Sequence, residues 1–167
     1  MKNRALLLFF TFLSAFVQFQ VSYAQEQEKD EVMKTVRQLF TAMETNDSSL
    51  AASLFTKDAQ LYTVLKNENG ISQLRNNPST RLISAFGSKK SETWREPIWN
   101  EKIEIADGLA SVWVDYAFYI GKKFSHCGTD AFHLIKIGSK WKIFHLADTR
   151  RKDNCEIPSD IQNKFKE

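Results

Sequence analysis

The stretch Ile98 to Ile120 reads IWNEKIEIADGLASVWVDYAFYI. Two runs of alternating apolar and polar residues flank Asp107-Gly108, a dipeptide that accepts the positive φ angles of a two-residue hairpin turn. The segment therefore predicts a pair of long antiparallel strands. Gly121-Lys122 and Gly138-Ser139 are the next turn candidates, and with them the hairpin extends into a meander that runs to FHLADTR, Phe144 to Arg150. If every turn holds two residues, the pairing sums fix the faces. Trp99, Ile103 and Ile105 then share a face with Val112, Val114, Tyr116 and Phe118. Cys127, Thr129, Ala131, His133, Phe144, Leu146, Asp148 and Arg150 join them. This face is the more consistently apolar and is placed inward. A single bulge reverses part of the assignment.

Upstream of the meander the period changes. In KDEVMKTVRQLFTAMETN, residues 29–46, Val32, Val36, Leu39, Phe40 and Met43 recur at helical spacing. Asp47 is placed to cap a short helix in SSLAASLF. QLYTVL (Gln60 to Leu65) reads as a strand and KNENG as a polar loop. NNPSTRLISAFG reads as a helix with Asn77 as cap, Pro78 in the first turn, an apolar stripe of Leu82, Ile83 and Phe86, and Gly87 as the stop. Helices followed by a long antiparallel sheet make an α+β domain, with the N-terminal helices packed on one face of a curved antiparallel sheet.

The first 24 residues read as a secretory leader. Lys2 and Arg4 precede the apolar run Ala5 to Val17, and Ser22-Tyr23-Ala24 is a small-x-small cleavage site. Cleavage there starts the mature chain at Gln25 and leaves 143 residues, enough for one domain with a real core. The expected compartment is secreted or periplasmic, without stable membrane insertion after cleavage. Setting aside Lys2 and Arg4, 21 basic side chains face 20 acidic ones, so nothing directs the chain to nucleic acid. Two cysteines in an exported chain favour pairing of Cys127 with Cys155. Such a bond pins the basic tail across the end of the fold.

VRQLFTAMETNDSSLAASLFTKDAQLYTV resembles the opening helices and first strand of the NTF2-like superfamily of cone-shaped α+β domains. SKWKIFHLADTR resembles its terminal strand. The superfamily includes SnoaL-like cyclases, ketosteroid isomerases and the putative lumazine-binding group. The resemblance spans Val32 to Arg150 and implies a cone whose open end binds a small molecule. On the inward face, Trp99, Tyr116, Phe118, His133, Asp148 and Arg150 are the expected ligand contacts. The isomerases of the superfamily imply acid–base chemistry in which Asp148 or Glu101 is the base and Tyr116 stabilises an enolate. The alternative is a structural pairing of Asp148 with Arg150.

No spacing of His126, His133 and His145 matches a metal motif, and nothing in the sequence implies a cofactor. Trp113, Tyr119, Phe132 and Trp141 are expected on the outer face, where they would serve a homodimer or another interaction surface. Ligand binding without catalysis, acid–base catalysis and protein interaction are the functional classes that remain.

Overall fold

The computed structural model describes residues 25–165, so the leader expected over residues 1–24 lies outside the described residues. Helix α1 spans 25–45 and buries Val32, Val36, Leu39 and Met43, the predicted stripe. Asn46, at φ 57°, turns the chain, and the Asp47 carboxylate accepts the Leu50 amide at 2.8 Å to cap α2 (Ser48–Leu54). The strands are β1 (Phe55–Lys66), β2 (Ser72–Pro78), β3 (Trp94–Arg95), β4 (Ile98–Ala106), β5 (Leu109–Ile120), β6 (Lys123–Ile137) and β7 (Lys140–Thr149). Helix α3 (Ser79–Gly87) follows β2, and α4 (Ser159–Phe165) follows β7.

The strands form one sheet in the order β2-β1-β7-β6-β5-β3, with β4 also on β5. The meander β4 to β7 is antiparallel as expected, but β1 joins β7 in parallel. The sheet is therefore mixed, and its curved inner face carries α1, α2 and α3. A second difference lies at SQLRNNP. It pairs with β1 as strand β2, so Asn77 is a strand residue rather than a helix cap, and α3 starts after Pro78 without a side-chain cap. Pro78 fits both readings, because its fixed φ suits the last residue of an edge strand as well as a helix entry.

Three register shifts decide which side chains face inward. On β4, Trp99 opposes Asp115 while Lys102 opposes Trp113, with the extra residue near Asn100 at φ 55°. On β6, Phe118 opposes His126 while Tyr119 opposes Phe124, leaving Ser125 unpaired. On β7, His133 opposes His145 while Leu134 opposes Ile143, leaving Phe144 unpaired. Each extra residue reverses the faces beyond it. The bulge at Ser125 turns Asp130, Phe132 and Leu134 inward and sends Cys127, Thr129, Ala131 and His133 outward. The bulge at Phe144 restores the expected side for Leu146 and Asp148.

The proposed outer aromatic patch is reduced by the same shifts. Phe132 is fully buried and Trp141 is 4% exposed, both in the main core, and Tyr119 is covered by a stacked Phe165 of α4 at 3.8 Å. Trp113, half exposed, is the member that remains on the surface.

Cys127 and Cys155 are joined, and Cys127 exchanges both backbone hydrogen bonds with Arg151, one residue beyond the predicted partner Arg150. The one-residue offset is the Phe144 bulge. The disulfide sits in a second apolar cluster with Ala117, Tyr119, Phe124 and Ile157. It thus fastens the tail to the outer face of the sheet and not across the open end of the cone.

Candidate functional site

The inner face of the sheet is polar along one lateral row. Arg75 on β2 stands opposite Thr63 on β1, Thr63 opposite Asp148 on β7, and Asp148 opposite Asp130 on β6. Neighbouring strands lie about 4.8 Å apart, so this row brings two carboxyl groups side by side in the sheet. One step along β5, Tyr116 opposes Gly128. A Cβ at Gly128 would lie 1.8 Å from the Thr149 carbonyl oxygen and 2.7 Å from the Tyr116 ring. Only glycine lets that ring lie across the strand, where its hydroxyl donates to the Thr149 carbonyl at 2.8 Å. The row faces a cavity of about 360 Å³. Leu39, Phe40 and Met43 of α1, Leu82 and Phe86 of α3, and Leu61 and Leu146 of the sheet supply its apolar walls.

Asp148 is the bound carboxylate of the site. Its oxygens accept from Thr63 Oγ1 at 2.7 Å and from Arg150 Nε at 2.6 Å, with the Tyr116 hydroxyl 3.4 Å away. Asp130 is different. It is 3% exposed and lines the cavity, yet its carboxyl has no hydrogen-bond partner among the described residues. Burial pushes its pKa well above the carboxylate range, and the nearby Glu96 and Asp148 add to the rise. Glu96, in the connection between β3 and β4, also lines the cavity. Burial, then the charge of Asp148, raises it from 4.5 to about 8, against a lowering by Arg150. At neutral pH Glu96 is therefore largely protonated, and burial shifts Asp130 in the same direction; a protonated carboxyl can donate a hydrogen bond, which an ionised carboxylate cannot.

Two further groups complete the polar floor. Burial holds His126 down to about 4, so its imidazole is neutral; it packs edge-on to Tyr116 and lies 3.0 Å from Ser125 Oγ. Burial also raises the Tyr116 phenol, with Glu96 and the two aspartates contributing. It remains a neutral hydroxyl whose proton is committed to Thr149.

Of the residues expected to contact a ligand, Tyr116, Asp148 and Arg150 meet at the cavity. Phe118 stands behind it, its ring against His126 and Trp94. Trp99 is turned outward by the β4 bulge and packs beside the disulfide cluster. His133 is turned outward by the β6 bulge and shares a 2.9 Å hydrogen bond with His145. Glu101, the alternative base, lies away from the cavity in a two-oxygen ion pair with Arg37 at 2.8 Å. Sequence reasoning missed Glu96, Asp130 and His126. Glu96 precedes Pro97 in a connection without periodicity, and the other two lie on the strand whose face the bulge reversed. An inward carboxylate between Thr129 and Ala131 was legible only with the correct register.

No functionally curated protein is significantly similar to the chain in sequence. Solved structures share its fold. An NTF2-like protein of unknown function from Shewanella baltica OS155 is 18% identical, with a TM-score of 0.58 over 76% of this chain and 96% of the other. An NTF2-like protein from Cytophaga hutchinsonii is 17% identical, with a TM-score of 0.59 over 74% and 98%. A protein of unknown function from Mycobacterium tuberculosis is 13% identical, with a TM-score of 0.63 over 85% and 83%. The profile of the family described as "Putative lumazine-binding" matches residues 27–145. Helices on a curved sheet, a cavity between them and a profile match over most of the described chain converge: the protein belongs to this family and has the NTF2-like fold.

Proposed function

We propose that the protein is an exported binding domain that holds a small, partly apolar ring compound in its cone, with the protonated carboxyls of Asp130 and Glu96 donating to ring carbonyl oxygens or ring nitrogens. The observation that carries this reading is Asp130, buried, lining the cavity and without a protein partner among the described residues. Its carboxyl opens to the cavity, where a ligand acceptor would take the place of water as its partner. The apolar walls favour a planar body, and the family's description makes lumazine a sensible first probe.

Calorimetry of a panel of planar ring carbonyl compounds including lumazine, on wild type, Asp130→Asn and Asp130→Leu, tests it. The asparagine keeps a donor and should keep most of the affinity; the leucine should lose roughly tenfold. Failure of the whole panel to bind, or equal binding by the leucine variant, would contradict the reading.

A second reading has its own support. Glu96, with a pKa raised to about 8, has a proton affinity suited to general acid–base work near neutral pH. The cavity would then act on an enolisable carbonyl compound as an isomerase, cyclase or dehydratase, without a cofactor. Of the catalytic candidates read from the sequence, Asp148 is already bound and Glu101 is elsewhere, so Glu96 and Asp130 take their place. Loss of exchange of a substrate α-proton in Glu96→Gln, with binding retained, would favour catalysis over binding alone.

Export rests on the expected leader and on the Cys127–Cys155 bond, which suits an oxidising compartment. Among the described residues no helix is long and apolar enough to cross a membrane. Self-association through the outer sheet face is retained on narrower ground, the exposed Trp113, Leu109, Ile135 and Ile137.

A further inference from the structure

The mouth of the cavity carries a charge that its floor does not balance. Arg75, Arg81 and Arg150 all line the cavity. Arg150 is held by Asp148 at 2.6 Å, whereas Arg75 and Arg81 are exposed and enter no ion pair among the described residues. Of the three carboxyls that line the same space, Asp148 is the one paired with an arginine. Burial raises the pKa of both Glu96 and Asp130, which favours their neutral forms. Three guanidinium groups thus line a space in which one carboxyl is tied to an arginine and the other two are shifted toward the neutral form.

The helix beside the mouth adds to the imbalance. Helix α3 has nine residues, its N-cap Pro78 offers no side-chain acceptor, and its first turn contains no acid. The free amides of that turn already present partial positive charge. Arg81 sits in the same turn, where the helix field disfavours a cation. Across the mouth, Arg75 extends the row that leads through Thr63 to Asp148 and Asp130. The unpartnered, buried Asp130 independently marks the interior of this cavity as a place for a ligand.

We propose that the mouth is an anion subsite in which Arg75 and Arg81 take a carboxylate carried by the ligand, while its ring lies in the apolar cone. The inference rests on the binding reading above and names the ligand class more closely: a planar ring with neutral acceptors at one end and a carboxylate at the other. The guanidinium fork matches a carboxylate in two parallel hydrogen bonds, a geometry that a neutral amide cannot reproduce. The neutral floor is consistent with this polarity. An ionised Asp130 and Glu96 would repel an acid, whereas their protonated forms admit one.

The test uses matched probes, lumazine-6-carboxylate against lumazine and 1-naphthoate against 1-naphthamide, titrated calorimetrically into the full mature protein at low and high salt. Wild type should bind each acid about tenfold more tightly than its neutral partner, and salt should reduce the difference. Arg75→Gln/Arg81→Gln should remove the preference while leaving the neutral affinities and the melting temperature unchanged, since both residues are exposed. Arg75→Lys/Arg81→Lys should restore part of it. Equal binding of acid and neutral partner to wild type would overturn the subsite while leaving the cone reading intact. A preference that survives the glutamine pair would also overturn it, because the carboxylate would then be held at Arg150. If no probe binds, the cone reading falls and the subsite falls with it.

Discussion

Raising the pH from 6.5 to 8.5 should destabilise this protein, against the behaviour of a fold whose carboxylates are all salt-bridged. Glu96 titrates at about 8 in the folded chain against an ordinary value of 4.5. Between those values the unfolded chain has released a proton that the folded chain still binds, so unfolding is favoured as pH rises. The stability present below pH 4.5 is thus lost progressively until the pH passes 8. For Glu96 alone the loss between pH 6.5 and 8.5 is about 2 kcal/mol. Asp130 is raised in the same direction and acts in the same sense. The window is chosen because His126, lowered to about 4 from 6.5, acts in the opposite sense below pH 6.5. Urea unfolding at pH 6.5 and 8.5 reads the effect directly, and a loss of 2 kcal/mol moves the midpoint down by about 1 M at a typical urea dependence. In Glu96→Gln/Asp130→Asn neither side chain titrates, so the midpoint should be flat across the window and should exceed that of wild type at pH 8.5. A wild-type midpoint that is constant or rises, or a double variant that keeps the slope, refutes the assignment of raised pKa values to these two residues.

Other consequences can be checked on the same protein. Replacing Asp148 by alanine leaves the half-exposed Arg150 and the buried Thr63 without their acceptor and should cost about 1–2 kcal/mol in urea unfolding, while lowering the pKa of Asp130 by removing the adjacent charge. Gly128→Ala places a methyl group against the Thr149 carbonyl and the Tyr116 ring, and should destabilise by more than about 3 kcal/mol and expose the tyrosine to solvent in near-UV circular dichroism. The Cys127–Cys155 bond spans 28 residues, so Cys127→Ala/Cys155→Ala should lose about 3–4 kcal/mol by the chain-entropy estimate. Because the bond lies on the outer face, ligand affinity should change little, and thiol counting on denatured, unreduced protein should find no free thiols. Light scattering at micromolar concentration reads the assembly; Trp113→Glu should lower the mass toward that of one chain if the outer face associates.

The architecture was legible wherever a pattern runs uninterrupted. The apolar stripe of α1, the Asp47 cap and the Asp107-Gly108 hairpin each depend on local spacing alone, and each stands in the structure where its residues put it. The inner face was legible only in part, because a β-bulge inserts one residue that carries no apolar signature. Asn100 offered a hint, since asparagine tolerates positive φ, but Ser125 and Phe144 offered none. Tyr116 and Asp148 kept their side because one is counted within a single hairpin strand and the other lies beyond two compensating shifts. Asp130 lies between those shifts and was therefore assigned to the wrong face. Strand β2 was hidden for another reason: SQLRNNP lacks apolar alternation, being an exposed edge strand held mainly by its backbone ladder to β1.

Carbon-13 labelling of the aspartate and glutamate carboxyls, followed by titration in solution, reads the protonation of the cavity floor residue by residue. Glu96 should titrate with a midpoint near 8, Asp130 should titrate above the ordinary carboxylate range, and a bound ring compound should move both resonances. Ionisation of both groups below pH 5, with no response to any ligand that occupies the cone, would contradict the account.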